Sequence, residues 1–561
     1  MSVHSIAQTL PEDVLELVIW HATGAKRLKG LQTLDYAPTY SRDIMPFLGV
    51  CSHWRSVALS VFYMHFALKT NKDVTLIESP QGFLHGIDDI IACNLEKTAS
   101  CAEVEVPLEG IVKGNLAGLL STAPYVNTEF PSVTNLSVRI ENDSKLEVEA
   151  TEEHRNNVNL FCEHIGRLFP NVYLLRFNSS SIWTPSTACG DLLSDLVAGL
   201  TKGVRALEFI GDGYLHLDDL SHLTNLLRLT IHTEHRDSNM AELIRRNAST
   251  LEHIDIKTSE VGGTTGFVQD PEGNTMIYPR LKKLTIFTRD YSLAGERVSP
   301  KGTPFPVLTH LSLKGVYPFG NDILFRGSNE TLESLDMVLE NQLQQIILRS
   351  GTFGQYRHSR LHRISIDLAF FDIAPGIVQL LFEIGPNVQA VKANLGDYES
   401  SSTLLDAVRN SRAKSQIQCL TIKSLNLLAT EIVELIELLP NLKHLKVKLA
   451  DEENTQDATA APSNSFATLQ GRQEPISNRL HSIHFKVDMW PPSRLAVRNI
   501  QIIASLIPSL RYVVVQELAS EEWQELFKEV TTEPTFAPRT AHLRSLTYLD
   551  GLYREAKRLP M

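Results

Sequence analysis

Apolar and polar residues follow one short phrase again and again along most of this chain. The phrase is apolar, two variable residues, apolar, one variable residue, apolar, as in Leu442-x-x-Leu445-x-Val447. Its closing alternation predicts a β-strand with one buried face, and a unit this short must share its core with its neighbours. The phrase occurs fifteen times at intervals of 22 to 39 residues, with first apolar positions at Val133, Val172, Val204, Leu226, Leu251, Leu281, Leu308, Leu332, Leu361, Val388, Ile417, Leu442, Leu480, Leu510 and Leu543.

Segments with helical periodicity lead into several of these strands. Residues 431–439 place apolar side chains on one helical face directly before the phrase at Leu442, and residues 376–393 and 498–515 repeat the pattern. Proline cannot continue a helix and biases its predecessor towards extended backbone, so it marks the corner between helix and strand. Seven units carry a proline two residues before the phrase: Pro131, Pro170, Pro279, Pro306, Pro386, Pro440 and Pro508. Helix, corner and strand in repetition predict an α/β fold with parallel strands on a concave wall and helices outside.

The mean interval of about 29 residues and the phrase itself resemble leucine-rich repeats. The match is to an irregular variant, because the asparagine that such units carry eight residues after the first apolar position is missing. We therefore expect an irregular leucine-rich-repeat solenoid over residues 131–561. Residues 261–276 interrupt the period, and residues 451–475 are expected to be a disordered insertion.

The first 70 residues predict a small helical head. Thr9, Pro11 and the acids at 12 and 13 form a helix start, and a second helical stretch is expected at about 46–66. Residues 71–130 lack the polar bias of a free linker, so they are expected to form a packed connector with a strand at 74–77 and a helix at 110–120.

Two motifs in the head resemble the two halves of an F-box. They are Leu10-Pro11-Glu12-Asp13-Val14 and Val50-Cys51-Ser52-His53-Trp54-Arg55. Leu10 and Cys51 are 41 positions apart, which implies an extra loop at about 26–40. The whole chain thus resembles an F-box and leucine-rich-repeat protein of fungal type. The resemblance implies that the head binds the Skp-type adaptor of a cullin-RING ligase through Leu10, Pro11, Val14, Val50, Cys51, Trp54 and Arg55.

A head of this size cannot bury many large apolar residues by itself, which agrees with a partner at these positions. The alternative is that these residues pack the head onto the array.

The variable positions of the phrase predict a positively charged wall. From Leu226 to Leu510 they hold ten Lys or Arg but only three Asp, in a chain of net charge -12. Such a wall would attract an acidic or phosphorylated segment, although lysine is also simply tolerated on a solvated strand. The predicted target-binding residues are Lys283, Lys314, Arg363, Lys423, His444, Lys446, Lys448, His484 and Lys486. A further hypothesis is that the acidic segment 451–457 shields the densest part of this wall.

Catalysis is not indicated by any motif. The chain lacks a phosphate-binding loop, a nucleophile elbow and a zinc-protease helix, so we expect no enzymatic activity, cofactor or metal. The six cysteines are scattered, and there is no apolar stretch for a signal peptide or a membrane span. We expect a protein of the cytoplasm, the nucleus or both.

These inferences converge on a substrate-recognition subunit of an SCF-type ubiquitin ligase. The head would bind the adaptor and, through it, a cullin, while the solenoid would bind a protein target in the ubiquitin-conjugation pathway by protein–protein interaction. The alternative is a protein-binding scaffold that works without a ligase. The overall negative charge argues against a third reading, an accessory protein that binds RNA through the basic wall.

Overall fold

The computed structural model describes most of the repeat region and parts of the head. The described ranges are 65–69, 100–123, 125–141, 151–179, 187–211, 220–233, 240–258, 274–288, 302–315, 330–338, 358–368, 376–395, 400–450, 465–472, 474–487, 493–515 and 521–550, with short groups between 10 and 58, at 96 and 97, and at 268, 270, 272 and 328.

The chain divides into two compact units, residues 1–272 and 273–561. The division falls inside the segment 261–276, where the sequence period is interrupted. In both units each strand is parallel to the strand that precedes it and to the one that follows it in sequence. The first unit contains β1 (His65–Lys69), β2 (Cys101–Pro107), β3 (Asn135–Glu141), β4 (Leu174–Ser179), β5 (Ala206–Gly211), β6 (Arg228–Thr233) and β7 (His253–Thr258). The second contains β8 (Lys283–Thr288), β9 (His310–Gly315), β10 (Ser334–Val338), β11 (Arg363–Asp367), β12 (Ala390–Asn394), β13 (Cys419–Leu427), β14 (His444–Leu449), β15 (Ser482–Lys486), β16 (Tyr512–Val515) and β17 (Thr547–Asp550).

The position of the repeated phrase predicts the first residue of most strands. From Val133 to Leu510, every strand begins two residues after the first apolar position of its phrase. The three apolar positions of these phrases are buried, apart from Val172, which is half-buried. The last phrase is the exception, because Leu543 lies in a helix and the strand begins only at Thr547. The expected α/β repeat of parallel strands and helices is therefore confirmed.

Helices connect many of the strands and bury their apolar faces. Those of the first unit are α1 (Leu108–Val112), α2 (Asn115–Leu120), α3 (Glu152–Leu168), α4 (Thr187–Leu200) and α5 (Met240–Arg246). Those of the second are α6 (Ile377–Glu383), α7 (Ser401–Asn410), α8 (Ala429–Leu438), α9 (Ser465–Gln470), α10 (Arg494–Ser505), α11 (Glu521–Thr531) and α12 (Thr540–Ser545). From α6 to α11 each helix packs against the next, so these helices form one layer beside their parallel strands. None of the helices within the described ranges has both the length and the apolar character that a bilayer crossing requires.

Three expected boundaries differ from the structure. The helical stretch expected to reach residue 66 stops earlier, because β1 begins at His65 and pairs with β2. The expected connector contains the helices α1 and α2, close to the predicted helix at 110–120. It also contains the strand β2, which pairs with β3 along its whole length. The parallel array thus begins before residue 131, because β1 and β2 use the same strand pairing without a complete copy of the phrase. The strand expected at 74–77 lies outside the described residues.

The predicted disordered insertion at 451–475 is wrong over its second half. Residues 465–470 form α9, in which Ser465 and Leu469 are buried. The ring of Phe466 lies 6.0 Å from that of Phe536, centroid to centroid. These buried contacts explain the order of a segment whose polar composition resembles a loop. Residues 451–464, including the acidic segment expected to shield the wall, lie outside the described residues.

Side-chain hydrogen bonds across successive turns take the place of the missing asparagine. They come from the residue immediately before the first apolar position. Asn171, Asn387 and Asn441 donate from Nδ2 to the carbonyl groups of Pro131, Ser359 and Ser415 at 2.8, 2.7 and 2.6 Å. Thr250, Thr331 and Ser509 occupy the same position and donate to the carbonyl groups of Leu226, Leu308 and Leu480 at 2.7, 2.8 and 2.9 Å. The turns are therefore joined at the residue that precedes each phrase, and not eight residues after its first apolar position.

Candidate adaptor and target surfaces

The two motifs of the head, at 10–14 and 50–55, meet in the folded chain. The imidazole Nε2 of His53, in the second motif, is 3.0 Å from the carbonyl oxygen of Leu10, in the first. Each motif also makes a local helical hydrogen bond, from the amide of Leu15 to the carbonyl of Pro11 and from Arg55 to Cys51. Residues separated by 43 positions in sequence are thus held together by the backbone of one motif and a side chain of the other.

The head exposes part of its apolar surface. Leu15 and Ile19 are fully buried, whereas Val14 and Val18 are each 39% exposed and Val50 is 50% exposed. Val14 and Val18 are both helical and are one turn apart, so they share a helical face. Of the other predicted adaptor residues, Pro11 and Arg55 are exposed, and Leu10, Cys51 and Trp54 are half-buried.

The predicted target residues all lie on strands of the second unit, on the face opposite to the buried phrase positions. Lys283 and Arg363 are exposed at the starts of β8 and β11, far from each other in strand order. The densest part is β12 to β15, whose sequences contain five lysines and no carboxylate. We call Lys392, Lys423, Lys446, Lys448 and Lys486 the lysine cluster.

Strand register places four of the five residues of the lysine cluster in two adjacent rows. Lys392 is aligned with Thr421, Thr421 with Lys446, and Lys446 with His484. In the row two residues further along the strands, Lys448 is aligned with Lys486. Side chains two residues apart on a strand point to the same face, so both rows project from one surface.

A bulge in β13 interrupts the register beside Lys446. Thr421 pairs with Lys446, but the next pair joins Asn426 to Lys448, so residues 422–425 form an irregularity in the strand. Ser424 adopts a left-handed backbone with φ of 68°, uncommon for a residue other than glycine, and its hydroxyl is 2.7 Å from Oδ1 of Asn394. Bulges bend a strand, and the irregular stretch of β13 contains Lys423.

The electrostatics of the cluster follow from crowding and partial burial. Burial first, and then the charges of Lys423, Lys392 and Lys486, lower the pKa of Lys446. Burial and the nearby charge of Lys446 lower the pKa of His484 to about 4, so this imidazole is neutral at pH 7. The pKa of His444 is lowered mainly by burial and also by His481 and Lys443.

The acidic residues of this face lie outside the lysine cluster and already have partners. Asp336 on β10 is 3.7 Å from Nζ of Lys314 and accepts a hydrogen bond from Ser312 at 3.3 Å. Asp367 on β11 accepts a hydrogen bond from Nδ2 of Asn394 at 3.0 Å. Of the predicted target residues, Lys314 is therefore compensated by a carboxylate of the same wall.

The wall of the first unit is not uniformly basic. Glu208 on β5 is buried between Arg176, at 2.8 Å, and Arg228, at 3.6 Å. His232 lies 3.2 Å from Asp255. Glu103 and Glu105 of β2 add further negative charge before the phrase at Leu226. The strand face of the first unit therefore carries charges of both signs, whereas β12–β15 contain five lysines and no carboxylate.

A metal site is not indicated among the described residues. Within them no group of three or more His, Cys, Asp or Glu side chains has the arrangement of a metal site. Cys162 is buried beside a cavity of about 420 Å³, and burial raises the pKa of its thiol to about 12, which leaves it a poor nucleophile.

Comparison with known proteins identified no relative: no family model matches this sequence, and no curated protein does.

Proposed function

We propose that this chain is the substrate-recognition subunit of a cullin-RING ubiquitin ligase of the SCF type. In this proposal the head binds a Skp-type adaptor, and the strand wall of the second unit holds a protein target. The chain itself carries out no bond chemistry. It raises the local concentration of the target near the ubiquitin-charged enzyme.

The observation that carries the proposal is the arrangement of the head. Its two F-box-like motifs are in contact through His53 and Leu10, and the valines at 14, 18 and 50 remain exposed. Exposed apolar side chains in so short a segment support a surface that a partner covers. The adjoining repeat array supplies a separate surface for a target, as a receptor with two partners requires.

The adaptor interaction is tested by changing two of the exposed apolar residues of the head. Val14→Asp and Val50→Asp place a charge in the proposed interface and should abolish co-purification with a co-expressed Skp-type adaptor, because an unpaired charge at an apolar interface costs several kcal/mol. Val307→Asp is the matched control, since Val307 is a similarly exposed valine (37%) in the second unit. It should retain the adaptor.

The outcome also separates the ligase receptor from the scaffold. If the unaltered chain does not co-purify with the adaptor, or if Val14→Asp and Val50→Asp leave the complex intact, the ligase role is wrong. A protein target captured by a chain that never binds the adaptor would instead identify a ligase-independent scaffold.

A further inference from the structure

Two neighbouring turns of the first unit enclose a cavity of about 420 Å³ at the place where their helices end. It is lined by the C-terminal parts of α3 and α4 and by the corners that lead from these helices into β4 and β5. We propose that this cavity is a binding site for a free α-amino acid with a large apolar side chain. The proposal is independent of the ligase role, because the lining residues belong to the array.

Glycines leave the space of this cavity open. A β-carbon at Gly166 on α3, or at Gly203 after α4, would meet no other heavy atom within 4 Å. Gly199 on α4 has a different role, since a β-carbon there would lie only 2.7 Å from Sγ of Cys162 on α3. The two helices are therefore closely packed at Gly199, and the cavity is a gap beside this contact.

Gly203 also removes a bond that joins other turns of the array. It stands immediately before the first apolar position, Val204, where other turns carry an asparagine or a threonine that donates to a carbonyl group of the preceding turn. The corresponding acceptors here are the carbonyl groups of Pro170 and Val172, and both residues line the cavity. Gly203 has no side chain to donate to them, and its φ of 83° is one that glycine adopts readily. These carbonyls can therefore accept a hydrogen bond from a ligand.

The rim of the cavity carries charges of both signs. Lys202 and Arg205 follow α4, Glu163 lies on α3, and all three side chains are exposed. In the part of the chain that the structure describes, none of them forms an ion pair. Burial is the main cause of the raised pKa of the Cys162 thiol, but Lys202 also lowers this pKa and Glu163 raises it. A cation and an anion of the rim therefore both lie close to the bottom of the cavity.

The ends of the two helices add further acceptors. The last carbonyl groups of a helix have no partner within it, and they give its C-terminal end a partial negative charge. Gly166 lies in the last turn of α3, Gly199 and Leu200 end α4, and all three line the cavity. These helix ends and Glu163 favour an ammonium group, whereas the two cations of the rim favour a carboxylate.

The bottom of the cavity is apolar. Leu136, Ile165, Phe169 and Leu200 line it and are buried. The volume lies towards the lower end of the range for small-molecule sites, which is about 300–1,000 Å³. An α-amino acid carries a carboxylate and an ammonium group on one carbon atom, together with its side chain. With a large apolar side chain, it is a small ligand that uses the cations, the acceptors and the apolar bottom at once.

The test is a titration of the full-length chain with L-phenylalanine, followed by saturation-transfer NMR. L-Phenylalanine should bind saturably, with a Kd of about 1 mM or below. Three relatives each lack one part of it: 3-phenylpropionate lacks the ammonium group, phenethylamine lacks the carboxylate, and L-alanine lacks the ring. Each should bind about tenfold more weakly or worse, because it leaves one part of the lining without its partner.

Charge variants show whether the ligand occupies this cavity. Lys202→Gln and Arg205→Gln should each weaken the binding of L-phenylalanine about tenfold, since each removes a charge-assisted bond to the carboxylate. Lys113→Gln is the matched control, because Lys113 is an exposed lysine of the same unit that does not line the cavity. It should leave the affinity within about twofold. All three side chains are exposed, so loss of binding is separated from misfolding.

A second pair of variants fills the space instead of removing charge. Gly166→Leu should abolish binding by occupying the cavity, and α3 should stay intact because leucine is a better helix former than glycine. Gly118→Leu is its control, since Gly118 is an exposed glycine on α2 with equally open surroundings and lies outside the cavity. This control should bind L-phenylalanine like the parent chain.

Three results would overturn the proposal. The first is that L-phenylalanine does not bind. The second is that 3-phenylpropionate or phenethylamine binds as tightly as L-phenylalanine, which would show that the site recognises only one of the two charges. The third is an affinity that stays unchanged in Lys202→Gln, Arg205→Gln and Gly166→Leu, which would place the bound amino acid elsewhere on the chain.

Discussion

At the scale of single residues, we expect the buried His358 to make the stability of the second unit depend on pH. It is fully buried at the turn before β11, where its carbonyl accepts a hydrogen bond from the amide of Leu361 at 3.2 Å. A β-carbon at Gly385 would lie 3.0 Å from the same carbonyl oxygen, so the turn is closely packed. Burial lowers the pKa of the imidazole to about 4, so it is neutral at pH 7.

The direction of the pH effect follows from this shift. In the unfolded chain His358 takes up a proton below its ordinary pKa of 6.5, but in the folded chain only near pH 4. Protonation therefore favours the unfolded state, and stability is lost as the pH falls from 6.5 towards 4. Urea unfolding should show His358 accounting for about 2 kcal/mol of loss at pH 5 relative to pH 7.5.

The matching variant is His358→Leu, which removes the titrating group. It should flatten the pH dependence between pH 7.5 and pH 5, whatever its stability at pH 7.5. An equal loss in the variant and the parent would assign the effect to other groups.

At the scale of elements, successive turns are joined by side chains that donate to backbone carbonyl groups. Asn247, at the end of α5, is the most deeply buried of these. Its Nδ2 donates to the carbonyls of Leu223 and Leu243 at 2.8 and 2.9 Å, and its Oδ1 accepts from the amide of Leu226 at 2.8 Å. One side chain thus satisfies three backbone groups where a helix, a corner and the next phrase meet.

Asn247→Ala should lower the free energy of unfolding of the first unit by about 3 kcal/mol, because it leaves buried backbone groups without these partners. Asn225→Ala serves as the control, since Asn225 is exposed and bonds only to the neighbouring Thr224 at 3.4 Å. Its effect should stay within about 0.5 kcal/mol. Similar losses in the two variants, measured by urea unfolding, would contradict a special role for Asn247.

At the scale of the whole molecule, charged groups and the ion pairs between them are distributed unevenly. The helix layer of the second unit carries ion pairs between successive elements, such as Arg409 with Glu434 and Arg498 with Glu533. Carboxylates are thus engaged on the helices while the lysine cluster lies on the strands. A net charge of -12 therefore gives no indication of the sign of the surface proposed to bind a target.

The two compact units should also unfold separately. Repeat arrays are stabilised mainly by contacts between neighbouring turns. The boundary between the two units, after residue 272, should therefore make unfolding of the whole chain less cooperative. Calorimetry of the full chain should resolve two transitions, with Asn247→Ala lowering one midpoint and His358→Leu changing the other. A single transition that both variants shift together would show that the units unfold as one.

The sequence by itself determined where the strands begin and which of their residues are buried. A strand alternates with period two, and each turn reuses the same apolar positions, so local pattern was enough from Val133 to Leu510. The pattern failed at β1, β2 and α9, which lack the phrase and owe their structure to neighbours in the array. The contact between the two motifs of the head is seen only in the folded chain, and the role of these motifs remains a prediction.

Only the tertiary structure decided which charges are compensated. Whether a lysine meets a carboxylate depends on the register between strands that are distant in sequence, as with Lys314 and Asp336, or Arg176 and Glu208. The bulge at Ser424 and the bonds of Asn247 likewise arise from contacts across turns. The phrase predicts which side chains point outward, but their neighbours are set by stacking, because Coulomb forces and hydrogen bonds act over distances in space and not along the chain.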